Sequence, residues 1–434
     1  MKISDIAKIT GAKTHKIKDM NIKRFIINSK EAKSGDFFVP LKGSKLDGHD
    51  FIEDALNKGA YGSFSSKDIK KENILLVEDT LKALTNVAKY KRKSISTVIG
   101  ITGTSGKTTT KELANLILSQ HFKVSSTLGN YNNHIGLPLS LANCKTNSQV
   151  GIYELGTSQK GDIKYLMDIL TPDIGVLTSV GYAHTQGFKS FEDIVYEKGE
   201  IFKDTKSAVL PDNLLPYYEA DLPPDYITFG IEEDADIVIS NIKISIDGTY
   251  GEIKYKNEKI KLKIPVINEA IFMNLAAVSG ILYHLGLNPI KNLTPAENFS
   301  GIKGRGKLIK TKHLSIIDDS YNANPLSVYN AIKTLSKLKG KKILVLGDML
   351  ELGDLSKKLH KEIGTIINRA DIDEIILYGE ETKYTKQEIK NKPVYHFTQK
   401  EEIIKKLQHE KNAIILIKGS RGMKLEEVIE ELIS

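Results

Sequence analysis

The stretch Val98-Ile-Gly-Ile-Thr-Gly-Thr-Ser-Gly-Lys-Thr-Thr-Thr110 constrains this chain more than any other. Thr97 to Ile101 is a short apolar run of the kind that forms a buried parallel strand. It breaks into a Gly-rich turn and then into a helical pattern beginning near Lys107. That order aims several backbone N–H groups and the positive end of a helix at one place, where a nucleoside triphosphate fits. Lys107 is expected to reach the outer phosphates and the Thr108 hydroxyl to hold Mg²⁺, with Thr104, Ser105, Gly106 and Thr109 completing the cradle for ATP. Ile101 stands where the general pattern has its first glycine. A Gly-rich turn with no ligand is the alternative that spacing alone leaves open.

A chain of 434 residues predicts about three domains, each able to bury a core. Its 40% apolar and 27% charged makeup is that of an ordinary globular protein. No run of about 18 apolar residues occurs, and Met1-Lys-Ile-Ser-Asp-Ile-Ala-Lys8 lacks the apolar stretch of a signal peptide. The single cysteine, Cys144, excludes an internal disulfide and a cysteine-rich metal site, so a cytoplasmic location is expected. The net charge of +8 comes from lysines spread along the chain. That distribution supports nucleic-acid binding only weakly; a polyanionic small molecule explains it as well, and biased genome composition is a third reading. A monomer with no membrane span is expected.

The pattern of apolar runs predicts an α/β protein of three domains. The first, 1–95, is a small α/β unit with short strands such as Asp36–Val39 and Ile74–Val77 and a helix from Thr80 to about Lys91. Ser94-Ile-Ser96 is expected as a linker. The second, 96–303, is a P-loop-type domain with a parallel sheet, its strands at Val150–Glu154, Asp173–Val180 and Ala208–Pro211 alternating with helices. Turns at Asp247-Gly248 and Lys256-Asn257 mark inserted β-hairpins between Asp236 and Val266, followed by a helix from about Ile271 to Leu285. The third, 304–434, is a Rossmann-like α/β unit with strands at Leu314–Ile317, Lys342–Leu346, Glu374–Leu377 and Ala413–Ile417. Within it, Asn324-Pro325 has the form of an N-cap and first-turn proline.

Further residue sets narrow the chemistry. Asn130-Tyr-Asn-Asn-His134 is dense in amides that suit a sugar, a pyrophosphate or a peptide carboxylate, or form a surface turn. Glu154 ends a parallel strand, where open α/β sheets bind ligands, and is either a hard oxygen ligand for Mg²⁺ or a helix cap. His184 lies in a loop, where a histidine is as readily structural. Lys198 falls on a helix running from Phe191, where a lysine ordinarily faces solvent.

As an ordered set, Thr102-Gly-Thr-Ser-Gly-Lys-Thr-Thr109, Gly129-Asn-Tyr-Asn-Asn-His-Ile-Gly136, Glu154-Leu-Gly156, Ala183-His184 and Lys198-Gly-Glu-Ile201 closely resembles the central domain of the Mur ligases of peptidoglycan synthesis. Downstream, Gly304-Arg-Gly306, Asp318-Asp-Ser-Tyr-Asn-Ala-Asn-Pro325, Gly347-Asp-Met-Leu-Glu-Leu-Gly353 and Lys418-Gly-Ser-Arg421 extend the resemblance. Ser34-Gly-Asp-Phe-Phe-Val-Pro-Leu-Lys-Gly43 with Asp47-Gly-His-Asp-Phe51 is similar to the family's UDP-binding domain. The resemblance implies an ATP-dependent amide ligase working through an acyl phosphate. It makes Lys107, Glu154, His184 and Lys198 catalytic, with Lys198 carbamylated, and puts two Mg²⁺ ions near Thr108, Glu154, His184 and the Lys198 carbamate. It assigns Asn274 to adenine, Arg305 to the nucleotide and Asp319 to ribose. Ser29, Lys30, Asn130, Asn132, Asn133, His134, Asn322, Lys418, Ser420 and Arg421 are implied on the substrate side. The last motifs have the form of the branch that adds D-alanyl-D-alanine to UDP-N-acetylmuramoyl-tripeptide. A branch adding the third residue, a folate polyglutamate synthetase and a nucleotide-switched binding protein are the alternatives. Two departures stand out: Asn28-Ser29-Lys30 replaces Asp-Ser-Arg or Asp-Thr-Arg, and Ala270-Ile271 replaces a His-Asn pair before Asn274.

Overall fold

The computed structural model describes residues 1–183 and 185–433. His184, expected at the metal site, therefore lies outside the described residues. Contacts divide the chain into two compact units. One is made of Met1–Gly100, His121–Gly156 and Lys164–Asp173; the other of Ile101–Gln120, Thr157–Ile163 and everything from Ile174 onward.

In the first unit, β1 (Lys13–Thr14), β2 (Arg24–Ile26), β3 (Asp36–Phe38), β4 (Gly62–Ser65) and β5 (Ile74–Leu76) form a sheet in the order β1-β5-β4-β3-β2. Its pairs are parallel except β1 with β5. Side chains alternate across a strand, and the Phe37-Phe38 pair uses this to feed two cores. Phe37 packs edge-on against Phe25 and Phe64, over Ile3, Leu84 and Val87, whereas Phe38 joins Ile26, Ile52 and Ile74 on the other face. The helix Thr80–Arg92 ends where expected, capped at its start by Asp79. Ser94–Ser96 is not a free linker, because Ile95 is buried. Arg92 donates to the carbonyls of Leu170 and Thr171 and pairs with Asp173, whose carboxylate also accepts Val98 N–H.

Strand β6 (Thr97–Thr102) begins in the first unit, which also holds the parallel pair β7 (Val124–Ser126) and β8 (Val150–Glu154). Its last two residues belong to the second unit. There β9 (Ile174–Leu177), β10 (Ser207–Pro211), β11 (Asp225–Gly230) and β12 (Ile237–Ser245) run parallel, and β13 (Gly248–Tyr255) and β14 (Glu258–Ile264) add antiparallel hairpins. The hairpin turns fall at the two predicted places, with Gly248 and Lys256 at positive φ. Expected to run to Val180, β9 stops at Leu177 instead: Thr178 and Ser179 leave the ladder to bond the loop after β6.

The second unit's other sheet contains β15 (Lys307–Lys310), β16 (Leu314–Asp319), β17 (Lys341–Gly347), β18 (Glu374–Tyr378), β19 (Val394–Phe397) and β20 (Ala413–Lys418). Their order is β15-β16-β20-β17-β18-β19, parallel but for the β15 edge. The last strand enters between the first two parallel ones, so the chain changes direction across the sheet there, and ligands of such sheets bind at that switch point. The observed fold is thus the expected mixed α/β one, with inserted hairpins and a Rossmann-like sheet. Among the described residues no helix is long and apolar enough to cross a membrane.

Asn324 and Pro325 open the helix Pro325–Ser336 as read from sequence. Asn324 Oδ1 accepts Ser327 N–H at 2.9 Å, and Ser327 Oγ accepts Asn324 N–H at 3.0 Å. Asn324→Ala removes the side-chain half of this cap. It is expected to cost about 1 kcal/mol, read as a lowered urea midpoint against the wild-type chain.

Candidate active site

The phosphate-type turn is built from two glycines and a clamp. Gly103 and Gly106 sit at φ +147° and +90°, and a Cβ on them would come within 2.0 Å of Thr178 Oγ1 and 2.4 Å of Asn274 Oδ1. Only glycine fits both the angles and the space. Thr104 N–H donates to Ser179 O at 2.9 Å, Ser105 N–H to Ser179 Oγ at 3.0 Å, and Thr178 Oγ1 donates to Ser105 O at 2.6 Å. The Thr104 hydroxyl donates to Gly181 O and accepts Gly181 N–H, both at 3.0 Å. The helix Lys107–Leu118 follows, and no side chain caps its N-terminus. Lys107 Nζ reaches back to Gly103 O at 2.6 Å. Thr108 is buried and Thr109 half-buried on the first turn of this helix.

Lys198 was expected to face solvent if it had no function. It is instead 4% exposed, at the end of the helix Phe191–Gly199. Burial, then the Lys107 charge, pull its amine down to about 7, against the pull of Glu197. Its neighbour Glu197, which sequence reading missed, is also buried. It accepts Gly161 N–H and Ile163 N–H at 2.7 Å, and the Thr157 hydroxyl at 3.3 Å. Asn274, on the buried helix Ile271–His284, accepts Thr110 Oγ1 at 3.3 Å, so it stands against the phosphate-type turn even though Ala270-Ile271 precedes it.

At the switch point, Asp319 and Lys418 are register partners on β16 and β20, and their side chains pair at 2.6 Å. Burial raises the Asp319 carboxyl, opposed by Lys418 and Arg305. Lys418 also donates to Asn322 O at 3.0 Å, leaving the Asn322 side chain on the surface. Arg305 stacks 4.1 Å from the Tyr321 ring centroid and Arg421 lies 5.8 Å from it, a cluster with no sequence signal. Ser420 is buried, and its hydroxyl accepts Leu350 N–H at 2.8 Å.

In the first unit, Glu154 is fully buried at the end of β8 and takes a 3.4 Å contact from Asn132 Nδ2. Asn133 Oδ1 accepts Gly136 N–H at 2.8 Å, opening the helix Gly136–Ala142, while Asn130, Asn133 and His134 are exposed. Elsewhere in that unit Ser29 is buried and Lys30 exposed on a turn that Asn28 caps by accepting Lys30 N–H. Among the described residues no three His, Cys, Asp or Glu side chains gather as a ready-made metal cage. Oxygen donors in ones and twos are what Mg²⁺ uses when phosphates and water complete its shell.

A glycine turn that bears no Cβ, clamped beneath the uncapped start of a helix, is the phosphate-holding end of a nucleotide-dependent α/β enzyme. Which class it serves comes from comparison with known proteins. The descriptions Mur ligase family catalytic domain, Mur ligase middle domain and Mur ligase glutamate ligase domain match residues 21–92, 101–282 and 304–421. The chain is 36% identical to the UDP-N-acetylmuramoyl-tripeptide–D-alanyl-D-alanine ligase of Bacillus subtilis (strain 168), covering 94% of this chain and 92% of that one. A crystal structure of MurF from Acinetobacter baumannii superimposes with a TM-score of 0.90 at 27% identity, covering 99% and 98% of the two chains. MurF from Thermotoga maritima, in complex with ADP, gives 0.84 at 33% identity over 94% and 97%. The chain belongs to the Mur ligase family, whose members are ATP-dependent ligases.

The buried Lys198 has a measurable consequence. Between about pH 7 and the unfolded value near 10.5, the unfolded chain holds a proton that the folded chain lacks, so stability rises with pH across that window. Lys198→Met removes this slope. It is expected to be more stable than the wild type at pH 6–7 by roughly 2–5 kcal/mol, with the gap closing towards pH 10, in paired denaturation curves.

Proposed function

We infer that this chain joins D-alanyl-D-alanine to UDP-N-acetylmuramoyl-tripeptide at the expense of ATP, in peptidoglycan precursor synthesis. The observation that carries this is the near full-length match to a ligase of that name, with the phosphate-type turn intact in geometry. The same match favours this branch over one that adds the third residue or over a folate polyglutamate synthetase. We propose the division 1–95, 96–303 and 304–434 as precursor-binding, ATP-binding and C-terminal domains, and a cytoplasmic monomer.

A carboxylate is a poor acyl donor and must be activated. The tripeptide carboxylate attacks the γ-phosphate of ATP, giving an acyl phosphate and ADP; the dipeptide amine then attacks the acyl carbon and phosphate leaves. Both partners in the first step are anions, so charge neutralisation dominates the catalysis. Lys107 supplies one cation at the phosphate turn. Thr108, Glu154, His184 and a carbamylated Lys198 are proposed as the Mg²⁺-serving residues, each on its own motif match. Mg²⁺ supplies charge neutralisation to phosphate oxygens. The buried Lys198 amine, which loses its proton around pH 7, has the character that carbamate formation needs.

Thr104, Ser105, Gly106 and Thr109 are proposed to hold phosphate, Asn274 adenine, Arg305 the nucleotide and Asp319 ribose. Ser29, Lys30, Asn130, Asn132, Asn133, His134, Asn322, Lys418, Ser420 and Arg421 are proposed on the substrate side. The buried Ser420 acts there through the loop it holds.

Purified chain with ATP, Mg²⁺ and UDP-muramoyl-tripeptide is expected to release phosphate only when D-alanyl-D-alanine is added, with the UDP-pentapeptide seen by mass. Lys107→Ala is expected to lower kcat/KM by about 10²–10³-fold. Release with neither acceptor present would instead mark a nucleotide-switched protein.

A further inference from the structure

The motif Gly347-Asp-Met-Leu-Glu-Leu-Gly353 carries no role in the chemistry above, yet its backbone is tied down at nearly every residue. It leaves the carboxyl end of β17. Asp348 Oδ1 accepts Glu381 N–H at 3.0 Å and Thr382 N–H at 2.8 Å. Met349 N–H donates to His360 Nε2 at 3.1 Å, while His360 Nδ1 donates to Ser356 O at 2.9 Å, which sets the tautomer of this buried ring. Leu350 N–H donates to Ser420 Oγ at 2.8 Å, and Ser420 N–H to Asp348 O at 3.1 Å. Glu351 holds φ +64°, a conformation that L side chains rarely adopt, so the surroundings impose it.

The far side of the loop is bonded to the Thr185–Gly187 turn. Leu352 O accepts the Thr185 hydroxyl at 2.7 Å, and Glu351 O accepts Gln186 N–H at 3.4 Å. Gly353, at φ +52°, leaves room for Gln186, whose Cγ would stand 3.0 Å from an added Cβ. The Thr185–Gly187 turn follows the strand-end segment that locks the phosphate-type turn through Gly181 and Thr104. Gly181 is thus bonded to Thr104, Thr185, four residues on along the chain, is bonded to Leu352, and Leu350 is bonded to Ser420, two residues from Lys418 and its partner Asp319.

We propose that the loop Asp348–Gly353 is a positioning clamp for acyl transfer, with Thr185 the positioning residue through which it holds the Thr185–Gly187 turn. The proposal rests on the ligase reading. Its physical content is that phosphate-side and acceptor-side groups, carried on different sheets, must be kept in register to within a fraction of an ångström for the amine to meet the acyl carbon. A hydroxyl-to-carbonyl bond at the junction does this without touching the reactants.

Thr185→Val keeps the shape and removes the donor; Thr185→Ser keeps the donor. Val is expected to lower kcat for dipeptide-dependent phosphate release about tenfold with KM for ATP within about twofold, and Ser to restore kcat to within about twofold. Hydrogen exchange at the Gln186 amide is expected to speed up in Val and not in Ser. Wild-type kcat in the Val variant, equal losses in Val and Ser, or a loss confined to KM for ATP would each overturn the clamp. A wild-type chain that makes no pentapeptide would overturn the ligase reading and the clamp's role with it, and is told apart because it requires no variant.

Discussion

Everything at the nucleotide end depends on how the turn from Gly103 to Gly106 is held. A loop of this kind is useful only if its N–H groups stay aimed at one point without a ligand to hold them there. Here the turn is held on both kinds of backbone group: Thr178 donates to Ser105 O and Thr102 O, Ser179 Oγ donates to Ser105 O, and the Thr104 and Ser105 N–H groups donate to Ser179 O and Oγ. Strand β9 gives up its last expected residues to supply these bonds. The two glycines let the segments approach closer than any Cβ permits. Preorganisation of the turn and early termination of the strand are thus one structural fact.

Above that turn stands an electrostatic conflict. Half-buried Lys107 lies near buried Lys198, and its charge disfavours a second cation there. The Lys198 amine yields its proton at an ordinary pH, while Lys107 leans on the Gly103 carbonyl. The conflict is relieved by anything that brings negative charge to the pair, either a polyphosphate or conversion of the amine to a carbamate. A site in this condition discriminates for anions before any specific contact is made. Glu197 does not relieve it alone, since its carboxylate is engaged by the N–H groups of Gly161 and Ile163.

Much of this was legible in the sequence, because strongly apolar strands and glycine turns leave a local signature. The strands at 97–102, 150–154, 314–319, 341–347 and 413–418, the two hairpins and the Asn324-Pro325 cap all fell where the pattern put them. Strands β7, β11, β15 and β19 were missed. Lys307–Lys310 is a half-exposed edge, and Val394–Phe397 is also an edge, so neither has a long buried apolar run. Burial of Lys198 could not be seen from its own helix, because Lys107, whose charge it feels, lies in a distant part of the chain. The Arg305–Tyr321–Arg421 cluster was illegible for the same reason, with its members in three separate motifs.

Those separate motifs converge because of strand order. With β20 inserted between β16 and β17, the segments after residues 319, 347 and 418 leave neighbouring strands at their carboxyl ends. The adjacent acids Asp318 and Asp319 then divide the labour that strand alternation forces on them. Asp318 turns to hold Gly304 N–H at 2.8 Å and the Ser320 hydroxyl at 2.6 Å, fixing the turn that carries Arg305. Asp319 turns to Lys418. Neither acid can replace the other, because a shift of one residue in register would point the structural carboxylate at the lysine and leave the Gly304 turn unheld. A double acid that looks redundant in sequence is two different residues once the strand is folded.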